Sequence, residues 1–351
     1  MKICVFRYIC FASKSCGFEG QLILRNEVLH MKRVIEKVPV PLAGVTLGLT
    51  ALGNLLAGLS PVLRWGCGTA AALLFFLLLA KLILFPEKIK NDFSNPIIAS
   101  VSATFFMTLM QLSTYTCVFF PTASLFLWYA AVAGHCALIL WFSWTYLRRF
   151  RLSDVYPTYF ITYVGIVVAS VTSASFDRTA LGYGIFWFGF LAYLAMLVLV
   201  TVRCRRLPMA DSAKPLFCIY TAPMSLCLAG YLTTATAPSL AFTLILEVAA
   251  QILYIIVLTQ LPKLLRLPFF PSYAAFTFPF VITAIALQKF LTLLSASGFA
   301  VPSILSLLLA GETIVACVMV GYALLRYLHF LFGSLPPFRQ TASVPSSLPN
   351  S

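Results

Sequence analysis

Pro271-Ser272-Tyr273-Ala274-Ala275-Phe276-Thr277-Phe278-Pro279-Phe280 opens an apolar stretch that runs to about Leu294. Proline is tolerated in the first turn of a helix, where the N–H groups have no intrahelical partner. Pro279 stands eight residues further on, where a proline removes a backbone hydrogen bond and kinks the helix. In lipid, the carbonyl so freed must be satisfied by neighbouring helices, hydroxyls or water. The stretch therefore reads as a kinked membrane span that faces protein or a water-filled path, with the bulky Phe278 ring at the kink.

The same construction occurs once more. Pro215-Leu216-Phe217-Cys218-Ile219-Tyr220-Thr221-Ala222-Pro223-Met224 has the same proline spacing. Tyr220 corresponds to Phe276, Thr221 to Thr277 and Pro223 to Pro279, while Ala222 stands where Phe278 stands. Pro223 and Pro279 are thus both expected as helix kinks, and the pair of segments indicates an internal repeat.

Composition sets the frame for both. Of 351 residues, 61% are hydrophobic and 10% charged, which excludes a soluble globular domain. Apolar runs of about 20 residues recur along the chain, as in a polytopic all-α membrane protein. The net charge of +14 then bears on topology, and no nucleic-acid partner is expected. The ten cysteines include no Cys-x-x-Cys pair, and most lie in apolar runs as small buried hydrophobes. No phosphate loop, metal cluster or nucleophile with a partnering base is legible, so the reading is not of an enzyme and requires no cofactor.

Residues 1–30 carry no clean span, and Lys14, Glu19 and Arg25 interrupt any signal-peptide core. They are expected as an extension outside the fold, with Met31-Lys32-Arg33 as a natural start. Residues 31–330 form the membrane domain, and 331–351 are expected as a flexible tail.

Ten spans are predicted, at about 39–59, 63–85, 96–118, 122–144, 157–176, 180–202, 213–234, 238–260, 270–294 and 301–327. Basic residues gather in alternate loops, whereas the intervening tips hold only Arg64, Arg178 and, near a span end, Lys289. The positive-inside rule places both termini in the cytoplasm and the five tips outside, and the expected location is the cytoplasmic membrane. The spans pair as five hairpins, and each odd span is entered behind a proline.

Odd spans carry small and hydroxyl residues, whereas even spans are rich in large apolar ones. Small and polar faces pack on helices or line water, so five odd helices are expected inside and five even ones outside. The candidate pore-lining residues on the odd spans are Thr46, Asn54, Thr104, Thr108, Thr162, Gly165, Thr221, Ala222 and Thr277. A two-span unit repeated five times suits a quasi-fivefold ring around a central pore. The rival ten-span plan has two inverted five-span halves, as in many carriers. The five proline entries favour the ring.

The hairpins, the proline entries and Phe276-Thr277-Phe278-Pro279 resemble the tellurite-resistance/dicarboxylate transporter family, which includes TehA, fungal malate permease and the plant slow anion channels. The resemblance covers about residues 35–330. It implies ten helices in a quasi-fivefold arrangement, a pore through each protomer and a homotrimer. It also implies small inorganic or carboxylate anions as the transported species: chloride, nitrate, four-carbon dicarboxylates, sulfite or tellurite. A phenylalanine of the ninth helix blocks the pore in that family, and Phe278 matches it by motif.

The odd spans hold no Lys or Arg at mid-depth, so anion preference is expected from helix N-termini and basic loops. Glu247 and Glu312 lie mid-span in the eighth and tenth helices, where a carboxylate is expensive. They are expected either to pack, with Gln251 one turn from Glu247 as a partner, or to couple protons. His135 is expected as a packed, hydrogen-bonded histidine. The resulting expectation is an anion channel or transporter gated by Phe278. A proton-coupled dicarboxylate carrier of the same fold and a drug/metabolite carrier with two inverted halves are the alternatives.

Overall fold

The computed structural model describes residues 31–333, together with Glu27 and Leu29. The expected extension and tail lie almost wholly outside these residues. Among the described residues there is no strand; the chain is a succession of helices joined by short turns. Following the chain, we label Leu42–Gly58 α1, Pro61–Leu84 α2, Pro96–Thr116 α3, Pro121–Leu147 α4, the broken segment 159–176 α5, Thr179–Arg206 α6, Asp211–Thr234 α7, Leu240–Leu264 α8, Pro271–Ala296 α9 and Ser303–Phe332 α10.

Eight of the ten are long and apolar enough to cross a membrane. The exceptions are α1 and α5. α1 reaches that length only together with Met31–Lys37, from which it is bent by 89°. Pro39 and Pro41 fall between the two helices, and prolines disfavour a continuous helix there. α5 is divided into short α and 3₁₀ pieces, with Gly165 opening the first 3₁₀ turn. At that break His135 Nε2 of α4 donates to the Thr162 carbonyl at 2.9 Å, supplying a hydrogen bond to the interrupted helix. Trp128 Nε1 of α4 likewise donates to Thr172 Oγ1 at 2.8 Å.

The division into inner and outer helices is physical. In the odd helices α3, α7 and α9, 67–83% of the most apolar 18-residue stretch is buried; in the even helices the share is 22–39%. α1 is buried almost throughout. Large apolar side chains such as Leu73, Phe126, Leu191, Ile245 and Ile314 are exposed on the even helices. Lipid is the solvent in which such faces are at no disadvantage.

The inner elements contact one another in sequence: α1 with α3, α3 with α5, α5 with α7, α7 with α9, and α9 with α1. Hydroxyl groups join several of these contacts. Thr46 and Thr108 share a 3.1 Å hydrogen bond, and Thr108 also donates to the Ala43 carbonyl. Thr162 donates to the Ser100 carbonyl, and Ser225 to Thr283. Between α5 and α7 the contact is steric: a Cβ at Gly230 would meet Val167 Cγ1 at 2.7 Å.

Candidate functional site

Two cavities enter the inner layer from opposite ends. The first, of about 400 Å³, lies at the end marked by Lys37, Lys81 and Asp92, and every inner element contributes to it. Leu47 comes from α1, Thr104 and Met107 from α3, Val164 and Gly165 from α5, Ala222 and Leu226 from α7, and Phe278 from α9. The second, of about 590 Å³, is lined by Asn54, Gln111, Val171, Leu232 and Ile285 of the same five elements.

The two cavities follow one another along each of the five inner elements. From the last residue at the first cavity to the first at the second, the step is seven residues from Leu47 to Asn54, four from Met107 to Gln111, and six from Gly165 to Val171, from Leu226 to Leu232 and from Pro279 to Ile285. At 1.5 Å per residue this corresponds to a partition roughly 6–10 Å thick. Ala51, Thr108, Val168, Leu228 and Ile282 fall within it, and all five are fully buried.

Phe278 stands where α9 begins anew. Pro271–Phe276 is a 3₁₀ helix, Thr277 leaves helical geometry at φ −104° and ψ −94°, and an α-helix runs from Phe278 to Ala296. Thr277 Oγ1 donates to the Gly44 carbonyl at 2.9 Å and to the Ala274 carbonyl at 2.7 Å. Gly48 lets the chains approach this closely, because a Cβ there would lie 2.4 Å from Thr277 Cβ and 3.0 Å from the Phe278 nitrogen. The Phe278 ring is thereby held at the first cavity and is 5% exposed.

The two prolines act differently from the mid-helix kinks expected of them. Pro279 lies in the first turn of Phe278–Ala296, and Pro223 in the first turn of Ala222–Thr234, which follows the 3₁₀ stretch Asp211–Thr221. The winding changes from 3₁₀ to α just before each proline. Its missing N–H therefore falls among groups without an intrahelical partner, and no ladder bond is lost. The restart also brings the N-termini of these α-helices to the first cavity, which the start of α1 and the start of α3 also border. Such N-termini carry partial positive charge.

The nine lining candidates divide. Thr104, Gly165 and Ala222 border the first cavity and Asn54 the second. Thr46, Thr108, Thr162, Thr221 and Thr277 border neither; all are fully buried, with hydroxyls bonded to backbone or to a neighbouring helix. A threonine hydroxyl reaches its own i−3 or i−4 carbonyl, so its polarity is absorbed inside the helix. The lining instead includes Leu47, Met107, Val164 and Leu226, which composition alone does not distinguish from core residues. Each lies four to seven residues before a residue of the second cavity.

Glu247 and Glu312 border neither cavity. They are buried on the outer helices α8 and α10, at 5% and 2% exposure. Gln251 Nε2 donates to Glu247 Oε1 at 2.8 Å, as the one-turn spacing predicts. Glu247 Oε2 and both Glu312 oxygens have no hydrogen-bond partner.

A family model for the voltage-dependent anion channel matches residues 37–328, which spans both cavities and all ten elements except the last four residues of α10. The chain belongs to that family. The predicted resemblance to the tellurite-resistance/dicarboxylate transporters is thereby shown. A comparison with curated proteins found no match. Membership makes this a multi-pass membrane protein of an anion channel and transporter family.

Proposed function

We propose that the chain passes small anions through a pore running between the two cavities, and that Phe278 closes it at the first cavity. The carrying observation is that the same five elements border one cavity and, one to two turns later, the other. The cyclic contacts of the inner elements favour a quasi-fivefold ring of five hairpins, ten helices in all, over two inverted halves. The ring at Phe278 is apolar, and an apolar constriction excludes ions sterically and by dewetting. Anion preference then comes from the α-helix N-termini at the first cavity.

In this reading the first cavity opens to the cytoplasm, where the basic loops and both termini lie, and the bilayer is the cytoplasmic membrane. Chloride, nitrate, four-carbon dicarboxylates and oxyanions such as sulfite or tellurite are the substrate classes. The assembly is a homotrimer, each protomer with its own pore. Purified protein in liposomes tests this with chloride, nitrate and malate gradients: current that follows the anion gradient supports it, and the absence of anion flux refutes it.

A second reading is proton-coupled dicarboxylate transport by the same fold. The observation that favours it is the pair Glu247 and Glu312, buried with unpartnered oxygens. Uptake that requires a pH gradient distinguishes it from the channel.

A further inference from the structure

The second cavity contains two cations and no acidic lining residue among the described residues. Arg64, from the first turn of α2, and Lys289, from α9, both border it. Neither takes part in an ion pair; the salt bridges among the described residues use Lys81, Lys88 and Lys214. Arg64 Nε is buried without a hydrogen-bond partner.

Aromatic rings, not carboxylates, hold the guanidinium. Its carbon lies 5.1 Å from the Tyr115 ring centroid and 5.8 Å from that of Trp65, and these two rings pack edge to face at 5.9 Å. Tyr115 is itself fixed by donating to the Thr50 carbonyl at 2.7 Å. A cation–π contact positions the charge without neutralising it, so the guanidinium keeps donors for a ligand. At the floor, Asn54 Nδ2 donates to Gln111 Oε1 at 2.8 Å, which leaves the Gln111 amide N–H₂ for the cavity. The reverse amide assignment would offer the Asn54 N–H₂ in its place, so the floor presents donors either way.

We infer that Arg64 and Lys289, over the Asn54–Gln111 floor, form an anion-binding site in the second cavity that prefers a small divalent anion, an oxyanion or a dicarboxylate, to a monovalent one. Two uncompensated positive charges bordering one cavity favour two negative charges on the ligand, and the guanidinium fork suits the paired oxygens of a carboxylate or oxyanion. The inference rests on the pore reading for its role in transport, where the site would load or release the anion at the end opposite Phe278. Binding itself needs only this geometry.

The test is the anion-dependent melting of the purified full-length protein, titrated with sulfate or malate against chloride at constant ionic strength. A ligand that binds the folded state raises the melting temperature saturably. Wild type is expected to saturate at lower sulfate and malate than chloride. Lys289→Gln and Arg64→Gln should each weaken the sulfate and malate response by about tenfold or more, since each removes a charge-assisted contact. Lys289→Arg should restore it. No saturable shift in wild type, equal responses to chloride and sulfate, or variants that titrate like wild type would each overturn the site. The same samples in liposomes keep the two readings apart. Sulfate binding without any anion flux leaves the site and refutes the pore, whereas flux with binding unaltered in both variants leaves the pore and refutes the site.

Discussion

Phe278 and Ala222 are related by the internal repeat and border the same cavity, one with a ring and the other with a methyl group. Removing the ring should open the partition on its first-cavity side. Phe278→Ala is expected to raise anion current well above wild type with assembly unchanged. Adding Ala222→Phe to that variant should lower the current again by restoring bulk at a similar depth. Patch or bilayer recording alongside detergent melting checks both, and stable protein with unaltered current would sink the gate. Gly48 offers an independent probe of the same region. Its missing Cβ admits Thr277 and the Phe278 backbone, so Gly48→Ala should displace them and cost about 1–3 kcal/mol, the usual range for overpacking. A melting temperature equal to wild type would show that the contact gives way freely.

At the scale of the element, α7 and α9 each pass from 3₁₀ to α winding immediately before a proline. This geometry makes Pro279 a helix-starting residue. Pro279→Ala should therefore cost no more than about 1 kcal/mol, chiefly through the greater freedom of the unfolded chain. A continuous kinked helix would respond differently, because alanine would recover a missing ladder bond and raise stability. Thermal unfolding of the two proteins side by side decides between these outcomes. The proline spacing reveals the repeat, but proline alone does not say whether a helix bends or restarts. That depends on the residue before it, and Thr277 is drawn out of helical geometry by its bonds to Gly44 and Ala274. Gly44 lies more than two hundred residues away in the chain, out of reach of any local pattern.

Across the whole molecule, the buried hydroxyls of the inner helices and the two mid-span carboxylates lie in different layers. The inner layer holds hydroxyls that bond within and between helices, while Glu247 and Glu312 sit in the outer layer, away from both cavities. Their position favours packing over transport. Glu247→Gln keeps a group that can hydrogen-bond Gln251, so any pH dependence of flux should survive the change. Flux measured across a range of pH in liposomes checks this; loss of the pH dependence with normal expression and assembly would bring Glu247 into the transport mechanism.

The family, the all-helical membrane architecture and the alternation of inner and outer helices could be read from the chain itself. Each depends on composition averaged over about 20 residues, and lipid sorts large apolar faces from small and polar ones along every span. The correspondence of Phe278 with Ala222 was legible for a related reason, since the prolines keep a fixed local spacing. Tertiary structure decided which inner residues border space. A threonine and a leucine on the same helix exchange the roles their polarity suggests when the hydroxyl bonds its own backbone and the leucine faces the cavity, as Thr46 and Leu47 do. It also decided the fate of Arg64 and Lys289. In the sequence they are isolated charges far apart, and only the packing of α2 on the inner layer, to which α9 belongs, brings them to one cavity. Charge and hydroxyl content are properties of a residue, whereas facing a cavity is a property of its neighbours.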